Sequence, residues 1–289
     1  MKKSTLLHLR IPFSVFLMPV FLFALSRGEA VDYQRVFWAF IAIHIFLYPA
    51  SNAYNSYFDK DEESIGGLEK PPPVSKELYT YALLFDAVAL LIAFFAVNFA
   101  FTMALLLYGL ASKAYSHPAI RIKKYPIGSW LWVAFFQGFF TYLMSVIAIE
   151  NKTPQDLWQW QVLFPATLSS LLMMASYPMT QVYQHTEDAR RGDRTLSLML
   201  GINGTFMFSA GAFLLANAAF IAFLLVCASW AELLVFELAL FPTLLYFLYW
   251  WYMVWQDKSA ANFRQAMRLN ALSSLSLSFA FILMWWIRL

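Results

Sequence analysis

The sequence predicts an all-α integral membrane protein, with nine transmembrane helices arranged as two four-helix units plus one helix around a central cavity. Three observations carry that prediction. Of 289 residues, 61% are hydrophobic, 19% aromatic and only 13% charged, whereas a soluble domain uses about 45–50% apolar and about 25% charged residues. So little charge cannot cover a surface that faces water. Runs of about 20 mostly apolar residues, the length that crosses a bilayer as a helix, recur along the whole chain. The charged residues fall in the short connections between those runs.

The first run, 10–27, follows Lys2, Lys3 and Arg10. Ala24-Leu25-Ser26 resembles a signal-peptide cleavage site, but Arg10 sits late and Pro12 and Pro19 are unusual there, so the run reads as an uncleaved helix. The second, 34–56, ends in the amides Asn52 and Asn55. The third and fourth, 77–97 and 98–114, abut. The fifth and sixth span 127–149 and 157–181, the seventh 202–227, the eighth 229–252 and the ninth 264–288. Clusters such as Tyr249-Trp250-Trp251-Tyr252 and Trp285-Trp286 fit the aromatic belts at membrane interfaces. Residues 1–289 read as one transmembrane domain.

Charge placement tests this list of spans. Of 20 Lys and Arg, only Arg27, Arg35, Lys152 and Arg288 fall on the side away from the N-terminus. The other 16 share the N-terminal side, which the positive-inside rule makes cytoplasmic, with the C-terminus outside and the cytoplasmic membrane as the expected location. A net charge of +3 in short interhelical runs argues against a nucleic-acid partner. The single cysteine, Cys227, excludes an intrachain disulfide framework and a cysteine-cluster metal site.

Three N-terminal-side connections hold more polar residues than a linker needs. In the first, after the second span, Asn55, Asp59 and Glu63 lie on one face if that helix continues to the membrane surface. Their hard oxygens suit Mg²⁺ held together with substrate phosphates. A solvated acidic helix end is the plain alternative, and the costly amides Asn52 and Asn55 weigh against it. The connection after the sixth span repeats the pattern: at an offset of 129 residues Asn52 meets Gln181, Tyr54 meets Tyr183, Asn55 meets Gln184, and Asp59 meets Asp188. Two such carboxylate sites across a cavity could clamp one diphosphate through two metals. Between them, Arg121 and Lys123 are candidate phosphate contacts, with Arg190 a further one, while Lys124 reads as ordinary loop charge. His44, His117 and His185 read as structural.

These residues resemble the UbiA family of intramembrane prenyltransferases. Asn55-x-x-x-Asp59-x-x-x-Glu63 is similar to the family's Asn-x-x-x-Asp-x-x-x-Asp after helix 2, and Gln184-x-x-x-Asp188 to its Asp-x-x-x-Asp after helix 6. Gly192-Asp-Arg194-Thr195-Leu196 resembles the stretch that follows, and Tyr115-Ser116-x-Pro118-x-x-Arg121-x-Lys123 the family's connection between helices 4 and 5. The resemblance implies Mg²⁺, a polyprenyl diphosphate donor and a small hydrophobic or aromatic acceptor. It implies metal ligation by Asn55, Asp59, Glu63 and Asp188, catalytic roles for Asp59, Asp188, Arg121 and Lys123, and substrate binding by Asn52, Asn55, Tyr115, Tyr183, Gln184 and Arg190. Tyr54, Tyr57 and Tyr183 are candidates to stabilise an allylic cation.

Two departures stand out. Glu63 replaces an Asp, a mild change, whereas Gln184 puts a neutral amide where the family has a carboxylate. A weaker second metal site follows, so Gln184→Asp is expected to tighten Mg²⁺ binding. The alternatives are a terpene cyclase in the same cavity, a catalytically inactive scaffold, and a transporter. A transporter needs ionisable residues deep in the helices, where Asp86, Glu237 and His44 are the only obvious ones.

Overall fold

In a membrane every backbone N–H and C=O must find a partner inside the protein, and an apolar run does this by closing into a helix. The computed structural model describes residues 1–289, and every expected run is helical. The helices are α1 (Lys3–Arg27), α2 (Tyr33–Asp59), α3 (Glu77–Ala96), α4 (Phe99–Ser116), α5 (Pro126–Glu150), α6 (Trp160–Thr180), the short α7 (His185–Arg191), α8 (Leu196–Cys227), α9 (Trp230–Gln256) and α10 (Phe263–Arg288). An isolated antiparallel bridge joins Ile65 to Leu68.

Eight of these helices are long and apolar enough to cross a membrane, and α4, the expected fourth span, is not among them. Its 18 residues extend about 27 Å at 1.5 Å per residue, and its last turn holds the polar run Ser112-Lys113-Ala114-Tyr115-Ser116. Its outer face is nonetheless apolar, with Met103, Leu107 and Leu110 exposed.

Local signals set the boundaries. The Asp32 side chain accepts from the backbone N–H groups of Gln34 and Arg35 to open α2. Thr195 caps α8, a Ser229–Glu232 capping box opens α9, and Asn262 caps α10; each satisfies first-turn donors that the helix itself cannot. The other end of α2 stops at Lys60, whose φ of 50° is left-handed.

A core of 36 buried residues draws on all nine long helices, from Phe21 and Phe23 of α1 through Tyr142 of α5 to Phe281 of α10. Phe23 stacks on Phe281 with ring centroids 4.7 Å apart. α10 packs on both α9 and α1, so the ends of the chain close the helices into a ring and one core runs through both sequence halves. At Gly138 a Cβ would lie 2.6 Å from the Ser170 backbone; a small residue there lets α5 and α6 approach closely, as helices in lipid require. Large side chains such as Phe95, Val226, Leu238 and Trp286 point outward, each at least 71% exposed, as suits a surface facing lipid.

Candidate active site

The ring leaves a cavity of about 330 Å³ at the end where the connections after α2, α4 and α6 converge. Its mouth is polar and its interior largely apolar. Asn52, Asn55 and Asp59 reach it from the last turns of α2, Lys123 from the α4–α5 connection, and Gln184 and Asp188 from the start of α7. Tyr115 and Tyr183 line it as well. Below them Phe16, Val20, Trp132, Phe136, Leu172 and Phe213 form the walls.

Asp59 is 6% exposed. The Asn55 amide donates to its Oδ2 at 2.7 Å and to Ser116 Oγ at 3.0 Å, so the i, i+4 spacing on α2 is realised. Lys123 Nζ lies 2.5 Å from Asp59 Oδ1, off the hydrogen-bond direction, so that oxygen has a cation beside it and no aligned donor. Arg121 and Arg191 stand further off, at 3.7 and 3.9 Å.

Across the mouth Asp188 accepts from Thr195 Oγ1 at 3.1 Å. Burial lifts its carboxyl to about 7 and that of Asp61 to about 6, because removing water disfavours the charged form. A cation bound beside them reverses that preference. Behind Asp188, Asp193 is 2% exposed and takes Arg121 in a two-pronged grip, Nε to Oδ1 and Nη2 to Oδ2, both at 2.9 Å. Lys123 lies 3.3 Å from the same carboxylate. Arg121 therefore stands behind the cavity wall, whereas Lys123, shared between Asp59 and Asp193, lines it.

Besides Arg121, the expected site residues Glu63 and Arg190 are not brought to the cavity. Because α2 ends at Asp59 with Lys60 left-handed, the face that carries Asn55 and Asp59 does not continue to Glu63. Glu63 instead pairs with Arg190 at 2.9 Å, with their side chains 41% and 60% exposed. Asp61 takes the place at the wall and pairs with Arg191 at 3.1 Å. Of the three tyrosines proposed to face a cation, only Tyr183 lines the cavity. Tyr54 and Tyr57 pack outside it against Phe58 and Tyr79, and the Lys113 ammonium sits over the Tyr54 ring. The repeat breaks here because residues 52–59 are helical whereas 181–183 form a turn after α6.

Sequence spacing gave no sign of Arg10 or Arg191 at the site, and Ser116 and Asp193 appeared only within stretches that resemble the family's. Each is placed by a long-range contact that no local pattern encodes.

The donor set fits Mg²⁺. Asp59, Asp61 and Asp188 offer carboxylates and Asn55 and Gln181 offer amides, the oxygen chemistry that Mg²⁺ selects. Two of these oxygens, Asp59 Oδ1 and Gln181 Oε1, are buried without an aligned donor. No three acidic, histidine or cysteine side chains converge on one point, because Lys123 and Arg191 stand between the acids.

An apolar chamber inside a ring of apolar helices, closed by carboxylates and basic side chains at one end, defines a class of membrane-embedded protein with a polar-mouthed central cavity. The chain belongs to the UbiA prenyltransferase family, whose model matches residues 15–272. Sequence comparison with curated proteins gives no match. Among solved structures, a UbiA homologue from Archaeoglobus fulgidus bound to GPP and Mg²⁺ superposes with a TM-score of 0.70 at 18% identity, covering 98% of this chain and 99% of that one. An apo UbiA homologue from Aeropyrum pernix K1 gives 0.73 at 18% identity, over 94% and 98% of the two chains. A structure of a digeranylgeranylglyceryl phosphate synthase gives 0.60 at 17% identity, over 99% of both.

Proposed function

We propose that this chain, as a single domain, uses Mg²⁺ to ionise a polyprenyl diphosphate and transfers the prenyl group to a small aromatic acceptor. The observation that carries this reading is the placement of Asp59, the last residue of α2, and Asp188, in the first turn of α7, 129 residues apart in the chain, on the polar mouth of one otherwise apolar cavity. The Archaeoglobus homologue's complex with GPP and Mg²⁺ supports the same ligand classes here.

Asp59 and Asp188, with Asn55 beside the first, would hold Mg²⁺, which supplies the positive charge that lets the allylic C–O bond break. Lys123 adds a flexible ammonium able to turn from Asp59 to a diphosphate oxygen, since Asp193 remains within reach of it. Asp193 fixes Arg121 so that its charge stabilises the leaving group without reorganising. The apolar walls exclude water from the allylic cation, and the rings of Phe16, Trp132, Phe136 and Phe213 offer π faces, each contributing about 0.5–2 kcal/mol.

Arg10 and Lys123 are the only cations on the wall, and both lie at the mouth. Deeper, an acceptor meets the neutral hydrogen-bonding groups of Tyr108, Gln137, Asn270 and Ser273. A transporter finds less support. The half-buried Asp86 pairs with Lys113, His44 bonds the Ser14 carbonyl at 3.3 Å, Glu237 accepts from Asn217 at 3.4 Å, and none of the three lines the cavity.

Purified protein in detergent with labelled polyprenyl diphosphates, Mg²⁺ and a panel of phenolic and quinol-type acceptors is expected to yield a prenylated acceptor and free diphosphate. Hydrocarbon release without an acceptor would make it a cyclase, and no release of diphosphate from any donor would refute the proposal.

We also propose nine crossings, with the N-terminus and the mouth on the cytoplasmic side of the cytoplasmic membrane and the C-terminus outside. The 16 to 4 distribution of Lys and Arg supports this orientation. With Cys227 replaced by Ser, cysteines at Lys70 and Arg191 are expected to label only from the cytoplasmic side. Labelling from opposite sides would overturn it.

A further inference from the structure

Residues 60–70, the first part of the connection from α2 to α3, cross the mouth as a strap. The turn at its centre is closed by the Ile65 N–H donating to the Leu68 carbonyl at 3.0 Å and the Leu68 N–H to the Ile65 carbonyl at 2.8 Å. Ile65, 4% exposed, and Gly66 form part of the cavity wall. The turn rests on the Phe13 ring: a Cβ at Gly66 would lie 2.5 Å from it, and Gly67 has a φ of +85°, a conformation that side chains resist.

Two cavity residues fasten this turn from below. The Gln184 amide Nε2 donates to the Ser64 carbonyl at 3.2 Å, and Arg10 Nη1 donates to the Gly66 carbonyl at 3.0 Å. Arg10 is 8% exposed, and no carboxylate lies within ion-pair range of it. Its Nη2 donates to the Asn52 carbonyl at 3.1 Å, so one guanidinium ties the strap to the helix that carries Asp59. The outer fastenings, Glu63–Arg190 and Glu69–Arg264, both at 2.9 Å, are exposed ion pairs of the kind that contribute little.

We propose that Gln184 is a positioning residue that latches the strap over the donor site through its N–H. This rests on the prenyltransferase reading above. A carboxylate, which the family pattern carries at this position, is an acceptor only and would set two oxygens against each other at Ser64. Gln184 thus replaces a metal-binding function with a fastening one. The expectation that an Asp here improves Mg²⁺ use is reversed: the loss of the donor outweighs the gain of a charge.

Hydrogen exchange of the Ile65 and Leu68 amides, measured on purified ligand-free protein in detergent, reads the latch without requiring turnover. Gln184→Glu keeps the length and removes the donor; it and Gln184→Ala are expected to speed exchange at both amides about threefold to tenfold, as loss of one hydrogen bond implies. Asp188→Ala, which leaves the latch intact, is expected not to change it. In the transfer assay Gln184→Asp is expected to raise the KM for the donor at least about threefold, with no fall in the Mg²⁺ concentration giving half-maximal rate. Unchanged strap exchange in both Gln184→Glu and Gln184→Ala, or a lower Mg²⁺ requirement in Gln184→Asp, would overturn the latch. If no donor is turned over, the function assignment fails, while the exchange measurement still decides the latch.

Discussion

Asp59→Ala and Asp188→Ala are each expected to reduce prenyl transfer by at least about 10²–10³-fold, the scale seen when one preorganised charge is removed from a catalytic site. Folding in detergent is expected to survive both changes. Without Asp59, Lys123 keeps Asp193 at 3.3 Å, so no buried cation is stranded. Asp188 accepts one side-chain hydrogen bond, from Thr195, and holds no ion pair. The thermal midpoint should therefore shift by a few degrees, corresponding to about 1 kcal/mol. Glu63→Ala is the contrasting arm. Since Glu63 pairs with Arg190 outside the cavity, activity is expected to stay within about threefold, the effect of losing an exposed pair worth under about 1 kcal/mol. A Glu63→Ala enzyme as damaged as Asp59→Ala would return Glu63 to the metal site. Near-normal turnover in either aspartate variant would remove the proposed mechanism.

Asp193→Ala is expected to be damaging through both stability and rate. The substitution leaves the Arg121 guanidinium, which is only 20% exposed, without its bidentate partner and with only the longer contact to Asp59 at 3.7 Å. Removing one member of a largely buried pair costs about 3–5 kcal/mol, and the partial exposure of Arg121 places this case near the lower end. Arg121 adopts a left-handed backbone with φ 48°, a strained conformation that persists only while surrounding contacts impose it. The charge behind the leaving group should then lose its fixed position, lowering kcat about 100-fold. Arg121→Lys should reproduce much of the rate loss, because an ammonium cannot make the two parallel bonds of a guanidinium. Thermal unfolding and steady-state kinetics on the two variants check this. A wild-type midpoint in Asp193→Ala would show that the pair is not a structural element of the site.

Hydropathy and residue spacing report constraints that act over one turn or one crossing. A lipid-spanning segment must be about 20 residues long and apolar, so every helix was legible to within a few residues except at the starts of α1 and α8, which begin at Lys3 and Leu196, seven and six residues before the apolar runs at 10 and 202. Asn55 and Asp59 lie one helical turn apart, and their hydrogen bond is what that spacing implies.

The tertiary structure decided the rest. Glu63 left the metal face because one left-handed residue, Lys60, ended α2, and no periodicity anticipates a change in the sign of φ. Tyr54 and Tyr57 turned toward α3 because that helix, chosen by packing, lies on their side of α2. Arg10 meets Gly66 and Gln184 meets Ser64 across 56 and 120 residues of chain, and Arg121 meets Asp193 across 72. Hydropathy and spacing are local quantities. These pairings exist only because α10 closes on α1 and the closed ring gathers separate connections around one mouth, where each buried polar group must find a partner or cost about 1–3 kcal/mol.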